Sequence, residues 1–163
     1  MILQYIKKKE NKEQIIAAKQ YKKILSESTK FLKDNDFFKS KDFKTSFEIV
    51  SIFLIMFIRK NLLEANRKKY LKVNEELVRL FILDLDESLR EKGIGDMSIG
   101  KYVKSYVKKF YFRISKFPND NNLYKNEFFI EYLRITNLIK NDDYINISRK
   151  FNDKFGEFIN YTY

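Results

Sequence analysis

The chain has 163 residues, of which 44% are hydrophobic and 17% aromatic, and this suffices for one domain with a hydrophobic core. It contains no cysteine and no histidine, which excludes disulfide bonds, thiol nucleophiles and the usual protein ligands of zinc, haem and iron–sulfur clusters. The net charge of +11 favours an anionic partner such as nucleic acid, a ribosome or anionic lipid. The alternative is a Lys-rich composition that serves solubility alone.

The positive charge is unevenly distributed along the chain. Residues 116–163 are neutral, so the whole excess lies in the preceding part. There, residues 1–33, 59–72 and 97–115 carry excess positive charge, whereas residues 73–96 carry excess negative charge. This alternation predicts basic surfaces that flank one acidic helix.

Helical periodicity dominates the chain. One proline and four glycines leave few breakers, and apolar residues recur with a period near 3.6. The predicted fold is all-α, a single-domain bundle of about six helices that spans residues 1–163. In chain order we predict one or two basic helices within residues 3–33, an apolar helix at 45–63, an amphipathic helix at 70–91, a helix at 98–115, a helix at 123–140 and a last helix from about Tyr144 to Phe158.

Each predicted helix has an apolar face that we expect to be buried. The expected core residues are Ile15, Ala18, Leu25 and Phe31; Leu71, Leu77, Val78, Phe81, Leu85 and Leu89; Val103, Val107, Phe110, Tyr111 and Ile114; Phe129, Tyr132, Leu133 and Thr136; and Tyr144, Ile147, Phe151, Phe155 and Phe158. The most apolar run, residues 49–58, has about half the ~20 residues that a membrane-spanning helix needs. We therefore expect it to form a buried core helix. The N-terminal residues also lack the pattern of a secretory signal.

Two short motifs suggest chemistry that their spacing does not support. Asp84 and Asp86 are two apart and point in different directions on a helix, so they are poor partners for acid–base catalysis. Asp86 and Arg90 are four apart and are expected to form an ion pair. The segment GIGDMSIG, residues 93–100, lacks the GKS or GKT ending of a phosphate loop. An anion at the start of the helix that follows it remains an alternative.

The same glycine-rich segment has the composition of a helix junction. Gly93 is expected to end the preceding helix in the left-handed conformation. Asp96 or Ser98 is expected to cap the next helix. Beyond it, Lys101, Lys104, Lys108 and Lys109 form a basic face, with Tyr102 and Tyr106 interleaved. Such a face suits phosphates or single-stranded nucleic acid, and the alternative is a solvated helix surface.

The stretch DLDESLREKGIGDMSIGKYVKSYVKKFYFR, residues 84–113, resembles the central signature of the ubiquinol–cytochrome c reductase (complex III) chaperone family. The matching residues are Asp84, Asp86, Leu89, Arg90, Glu91, Gly93, Asp96, Gly100, Lys101, Val103, Lys104, Phe110, Tyr111 and Arg113. Looser similarity extends over residues 18–140 and includes Tyr21, FLKDNDFF at 31–38, FEIV at 47–50 and Arg59. Two positions depart from the family: Phe112 stands where glycine is usual, and Phe53 stands where histidine is common.

The resemblance implies a function. It implies a non-enzymatic assembly factor that binds nascent or unassembled cytochrome b, without a cofactor or small-molecule substrate. The family's mitochondrial members act at the ribosome with a small partner protein, so we expect those partners here, or peripheral contact with an anionic membrane. The implied location is the bacterial cytoplasm, including the inner-membrane surface, or the mitochondrial matrix in a eukaryote. The alternatives are a basic RNA-binding or ribosome-associated protein without a cytochrome role, and a carboxylate enzyme.

The site residues follow from the same signature. The predicted partner-binding residues are Arg90, Glu91, Asp96, Lys101, Lys104, Lys108, Tyr111 and Arg113. Gly93, Gly95 and Gly100 are predicted to shape the turn. The alternative is that Arg90, Glu91 and Asp96 only fasten the helix junction. No catalytic residue and no metal ligand are predicted.

Overall fold

Six helices make up the part of the chain that the structure describes, in agreement with the helical periodicity of the sequence. The computed structural model describes residues 11–117 and 126–161. The helices are α1 (Lys12–Asp34), α2 (Phe43–Leu62), α3 (Arg67–Glu91), α4 (Asp96–Lys116), α5 (Asn126–Thr136) and α6 (Tyr144–Ile159). The described residues contain no strand, and the predicted all-α, single-domain bundle is confirmed. Residues 3–10 and 123–125 of the predicted helices lie outside the described residues.

Polar side chains begin the first three helices. Asn11 and Gln14 form a reciprocal capping box at the start of α1. Asp42 accepts from the Thr45 amide at 2.9 Å, and Asn66 accepts from the Lys69 amide at 3.2 Å. Each of these bonds satisfies an amide that has no partner within its helix.

The predicted cap of α4 was wrong. The N-cap is Gly95, which makes no side-chain bond, rather than Asp96 or Ser98. If Asp96 were the N-cap, α4 would begin at Met97. It begins one residue earlier, so Asp96 is its first residue. Its carboxylate is then bonded to Arg90 instead of to the α4 backbone.

Helix α2 is the centre of the hydrophobic core. Every residue from Ser51 to Ile58 is buried, and this confirms the core helix expected from the apolar run. The ring of Phe53 lies edge-on to Phe31 of α1 and Phe158 of α6, with centroids 5.4 and 5.3 Å apart. Edge-to-face aromatic pairs of this kind add to the energy of area burial. None of the helices in residues 11–117 and 126–161 is long and apolar enough to cross a membrane.

Helices α5 and α6 pack against each other, and α6 also packs against α2. Phe129 of α5 stacks on Phe151 of α6, with centroids 5.8 Å apart. An isolated bridge pairs Phe38 with Ile139, so that the α1–α2 connection is bonded to the α5–α6 connection. The Lys39 amide donates to the Leu138 carbonyl, and the Lys140 amide donates to the Phe37 carbonyl, each at 2.8 Å.

Several residues expected in the core lie elsewhere. Ile15, Ala18, Leu71 and Tyr111 are exposed. Leu71 and Ile15 are each two residues, or about 200° around a helix, from the buried Val73 and Ala17. On α4 the only fully buried residues are Ile99 and Phe110, and the predicted core residues Val103, Val107 and Ile114 are half-buried.

Candidate functional site

Gly93 ends α3 in the left-handed conformation, as predicted. Its φ is +89°, and the C-cap is Lys92. The Gly93 amide donates to the Arg90 carbonyl at 2.8 Å, and the Ile94 amide donates to the Leu89 carbonyl at 3.3 Å. These two bonds form a Schellman motif, which satisfies the last carbonyls of α3. The motif turns the chain directly into α4.

Arg90 fastens this junction from the outside. Its Nε donates to Asp86 Oδ1 at 2.6 Å, which is the predicted pair four residues apart, and its Nη1 donates to Asp96 Oδ1. The hydrogen bonds that Arg90 donates to Asp86 and Asp96 raise the pKa of Arg90. An acidic side chain at the first residue of α4 also interacts favourably with the helix dipole. Arg90 and Asp96 therefore have a structural role at the junction, whereas Glu91 is exposed and belongs to no ion pair among the described residues.

Helix α4 exposes most of its surface. Lys101, Lys104 and Lys108 are exposed at helical spacing, as predicted, and they form no ion pair in the described part of the chain. Tyr111 is 52% exposed on the same helix. Gly100 lies within α4, so it is a helical residue and not part of the turn. It is on the outer surface, where an added Cβ would meet no atom within 4 Å.

Arg113 has a different environment from the lysines. Its side chain is only 13% exposed, and its Nη2 lies 3.2 Å from Oε1 of the buried Glu48. The Tyr132 hydroxyl donates to Glu48 Oε2 at 2.8 Å. Burial and the Glu48 carboxylate raise the pKa of Tyr132 well above its ordinary value, so that the phenol remains a donor. Helices α2, α4 and α5 thus meet at one buried polar cluster, which we call the Glu48 cluster (Glu48, Arg113 and Tyr132).

Asp84 joins the signature segment to α1. The Tyr21 hydroxyl donates to Asp84 Oδ2 at 2.7 Å. Burial, together with the bond to Asp84, raises the pKa of Tyr21. Asp84 and Asp86 therefore bond to different partners, in agreement with the prediction that they point in different directions. The described residues contain no cluster of three or more carboxylates that could hold a metal ion.

A groove of about 290 Å³ separates α4 from α5. Phe112 and Ile135 lie on its two walls and are 49% and 47% exposed. Phe128 and Tyr132 also line it, and Tyr132 brings the Glu48 cluster to its edge. The sequence singled out Phe112 only as a departure from the family signature and did not indicate the groove, because α5 comes next to α4 only through tertiary packing.

Two comparisons relate this geometry to known proteins. The family model described as ubiquinol-cytochrome C chaperone matches residues 35–118, just over half of the chain. The chain belongs to the ubiquinol-cytochrome C chaperone family. The fold is similar to the crystal structure of the Cbp3 homolog from Brucella abortus, with a TM-score of 0.67, 18% identity, and coverage of 92% of this chain and 83% of that one. The comparison with curated proteins gives no match.

The family match includes the α4 wall of the groove but not its α5 wall. In this ubiquinol-cytochrome C chaperone family member, the matched range holds α2, α3, α4 and the junction at Gly93. Helices α1, α5 and α6 lie outside the matched range. Glu48 and Arg113 lie within it, whereas their partner Tyr132 and the α5 wall of the groove do not.

Proposed function

We propose that this protein is an assembly chaperone for respiratory complex III that binds newly made or unassembled cytochrome b. Membership in the ubiquinol-cytochrome C chaperone family supports this role. Membership in a chaperone family also implies a role other than catalysis. The single structural observation that carries the proposal is the poor burial of α4, the helix with most of the family signature, since Ile99 and Phe110 alone are fully buried on it.

The client surface that we propose is the outer face of α4 with the adjoining junction. Lys101, Lys104 and Lys108 are available to client carboxylates or lipid phosphates because they have no ion-pair partner among the described residues. The exposed ring of Tyr111 adds apolar area beside them. The start of this face is held or bordered by Arg90, Glu91 and Asp96. No neighbouring atom lies within 4 Å of an added Cβ at Gly93, Gly95 or Gly100, so a client can approach the backbone there. Arg113 acts here as a positioning residue through Glu48.

The test is recovery of cytochrome b by the tagged protein from membranes solubilised in mild detergent, measured by mass spectrometry and haem stain. We expect the wild type to enrich cytochrome b. The triple variant Lys101→Glu, Lys104→Glu, Lys108→Glu should lose most of this recovery. Absence of cytochrome b from the wild-type eluate would contradict the proposed function.

A matched control uses the same change of charge on another helix. Lys19, Lys22 and Lys30 are exposed on α1 and form no ion pair in the described part of the chain. The triple variant Lys19→Glu, Lys22→Glu, Lys30→Glu should keep cytochrome b recovery if the α4 face is the client surface. Equal losses from both triple variants would indicate a general effect of net charge instead.

The α1 lysines favour a second candidate function, that of a basic RNA-binding or ribosome-associated protein without a cytochrome role. Lys22, Lys30 and Lys33 border an open basic depression on α1 together with Thr29. Binding through such a face depends steeply on salt, because phosphate contacts release counterions. Recovery of ribosomal proteins and RNA without cytochrome b, lost between ~50 and ~200 mM salt, would favour this function.

Further partners belong to the proposal. A small partner protein and the ribosome are expected beside cytochrome b, and the basic faces of α1 and α4 suit an anionic membrane surface. The location that fits these partners is the bacterial cytoplasm, including the inner-membrane surface, or the mitochondrial matrix in a eukaryote. The same eluates test these partners, since each is identified by mass spectrometry.

A further inference from the structure

The walls of the α4–α5 groove carry opposite charges. On α4, Lys116 lies beside Phe112, with its Nζ 5.4 Å from the ring centroid. On α5, Glu127 and Glu131 line the opposite wall. Lys116 and Glu127 belong to no ion pair among the described residues, and Glu131 reaches only the exposed Arg134, at 3.8 Å. The groove therefore offers an apolar floor between a basic rim and an acidic rim.

The groove has the dimensions of a short helix contact. Along α5, its apolar lining recurs at Phe128, Tyr132 and Ile135. This span is about 10 Å, or about two helical turns. A helix that lies in a groove anchors itself by side chains at such spacings of three, four and seven residues. About 290 Å³ accommodates a few large apolar side chains.

The charged rims restrict which helix fits. A helix that is apolar all round would bury Lys116 and Glu127 without partners, and unpaired buried charge is costly. An amphipathic helix avoids this cost when it carries an acidic residue on the α4 side and a basic residue on the α5 side. An amphipathic client segment of this kind lies at the membrane surface or in water, not in the hydrocarbon core. Its charged side chains therefore remain hydrated before binding.

We propose that the α4–α5 groove binds an amphipathic helical segment of the client, about two turns long, by apolar anchors between Phe112 and Ile135. The segment belongs to unassembled cytochrome b, so this inference rests on the proposed function. It adds a second contact C-terminal to the lysine face, since Phe112 lies about one helical turn beyond Lys108 on α4. Phe112 provides the α4 wall of the groove, opposite Ile135.

The test compares two groove variants with a matched surface variant. Phe112→Glu and Ile135→Glu each replace a half-exposed apolar side chain, and Ile145→Glu does the same on α6, where Ile145 is 58% exposed. Each groove variant should recover about tenfold less cytochrome b than the wild type, whereas Ile145→Glu should recover the wild-type amount. A photo-crosslinking benzoylphenylalanine at Ile135 should attach to cytochrome b, and one at Ile145 should not.

The outcomes separate this inference from the function on which it rests. A wild-type eluate without cytochrome b overturns both. Undiminished recovery by Phe112→Glu and Ile135→Glu, while the lysine triple variant loses binding, overturns the groove alone. A lowered melting temperature with undiminished recovery also overturns it, because the groove side chains then stabilise the fold and do not bind a client. Circular dichroism melting of each variant distinguishes these results.

Discussion

Arg113 and Glu48 form an ion pair in the interior, with Nη2 and Oε1 3.2 Å apart and exposures of 13% and 3%. Burial alone would lower the pKa of Arg113, but the hydrogen bond and charge of Glu48 outweigh it and raise that pKa. Arg113 closes the family signature and was predicted to bind a partner. Its position makes it a link between α4 and α2, and the proposed client contacts involve its exposed neighbours instead.

We expect Arg113→Ala to destabilise the fold by about 3 kcal/mol, because it leaves the Glu48 carboxylate buried with only Tyr132 as a side-chain donor. Urea unfolding measures the change. Arg134→Ala is the matched control, since Arg134 forms an exposed pair with Glu131 at 3.8 Å, and it should change stability by under about 0.5 kcal/mol. Equal effects of the two variants would disprove the role assigned to Arg113.

The two glycines of the signature should respond in opposite directions to alanine. Gly93 has a φ of +89°, so Gly93→Ala should cost about 1 kcal/mol through backbone strain alone, since a Cβ there meets nothing within 4 Å. Gly100 is helical and equally open, so Gly100→Ala should stabilise by about 0.5–1 kcal/mol. Thermal unfolding of both variants measures the difference. The interpretation of the junction fails if Gly93→Ala is neutral.

A buried amide network should make Asn61 one of the most sensitive polar residues. Asn61 Nδ2 donates to Gln20 Oε1 at 2.8 Å and to Asn74 Oδ1 at 2.7 Å, so the network joins α1, α2 and α3. Asn61→Ala should destabilise by about 3 kcal/mol, because it leaves buried amide groups without partners. The exposed Asn146 supplies a control, and Asn146→Ala should change stability by less than about 0.5 kcal/mol.

A double-mutant cycle tests whether the network acts as a unit. Gln20 Nε2 also donates to Asn61 Oδ1 at 2.8 Å, so each amide supports the other. Gln20→Ala combined with Asn61→Ala should therefore cost less than the sum of the two single changes. Strict additivity would show that the two amides stabilise the fold independently.

Glu27 should make stability depend on pH in the acidic range. Burial alone would raise its pKa, but the hydrogen bonds from Lys23 at 2.7 Å and Lys154 at 3.0 Å lower it below its ordinary 4.5. A lowered folded pKa gives a contribution that is present above pH 4.5 and is lost as the pH falls through the folded value. Wild type should exceed Glu27→Gln by about 1 kcal/mol at neutral pH, and the gap should shrink between about pH 5 and pH 3.

Glu157 supplies the comparison for this pH effect. It also accepts from Lys154, at 2.6 Å, but it is exposed. Denaturant midpoints of Glu157→Gln should follow those of the wild type at every pH, since an exposed pair contributes little. A gap for Glu27→Gln that persists unchanged at low pH would refute the assigned cause.

The helices and the junction could be predicted because they depend on local sequence. Period 3.6 in the apolar residues fixed the type and order of the elements, and the left-handed cap at Gly93 follows from its lack of a Cβ. Tyr111 was expected on the buried face of its helix together with Phe110, yet it lies about 100° around the helix from Phe110 and is exposed. Among the described residues α4 packs mainly against α3, so the buried face of α4 is narrower than its apolar face.

The polar clusters could not be predicted because their members are far apart in sequence. Glu48, Arg113 and Tyr132 come from three helices, and nothing in the spacing of any one helix pairs them. The same holds for Gln20, Asn61 and Asn74. Their partners are set by how the helices cross, which periodicity does not determine. The groove beside Phe112 depends on the same tertiary arrangement.

The bridge between Phe38 and Ile139 has a consequence for the order of folding. It joins positions about 100 residues apart, and such non-local contacts form late because the chain between them must first be ordered. Until α6 is synthesised, Phe53 and Phe57 of α2 lack their contacts with Phe158. During its own synthesis this chaperone therefore exposes an aromatic surface that its last helix covers, and a ribosome stalled before α6 would present an aggregation-prone nascent chain.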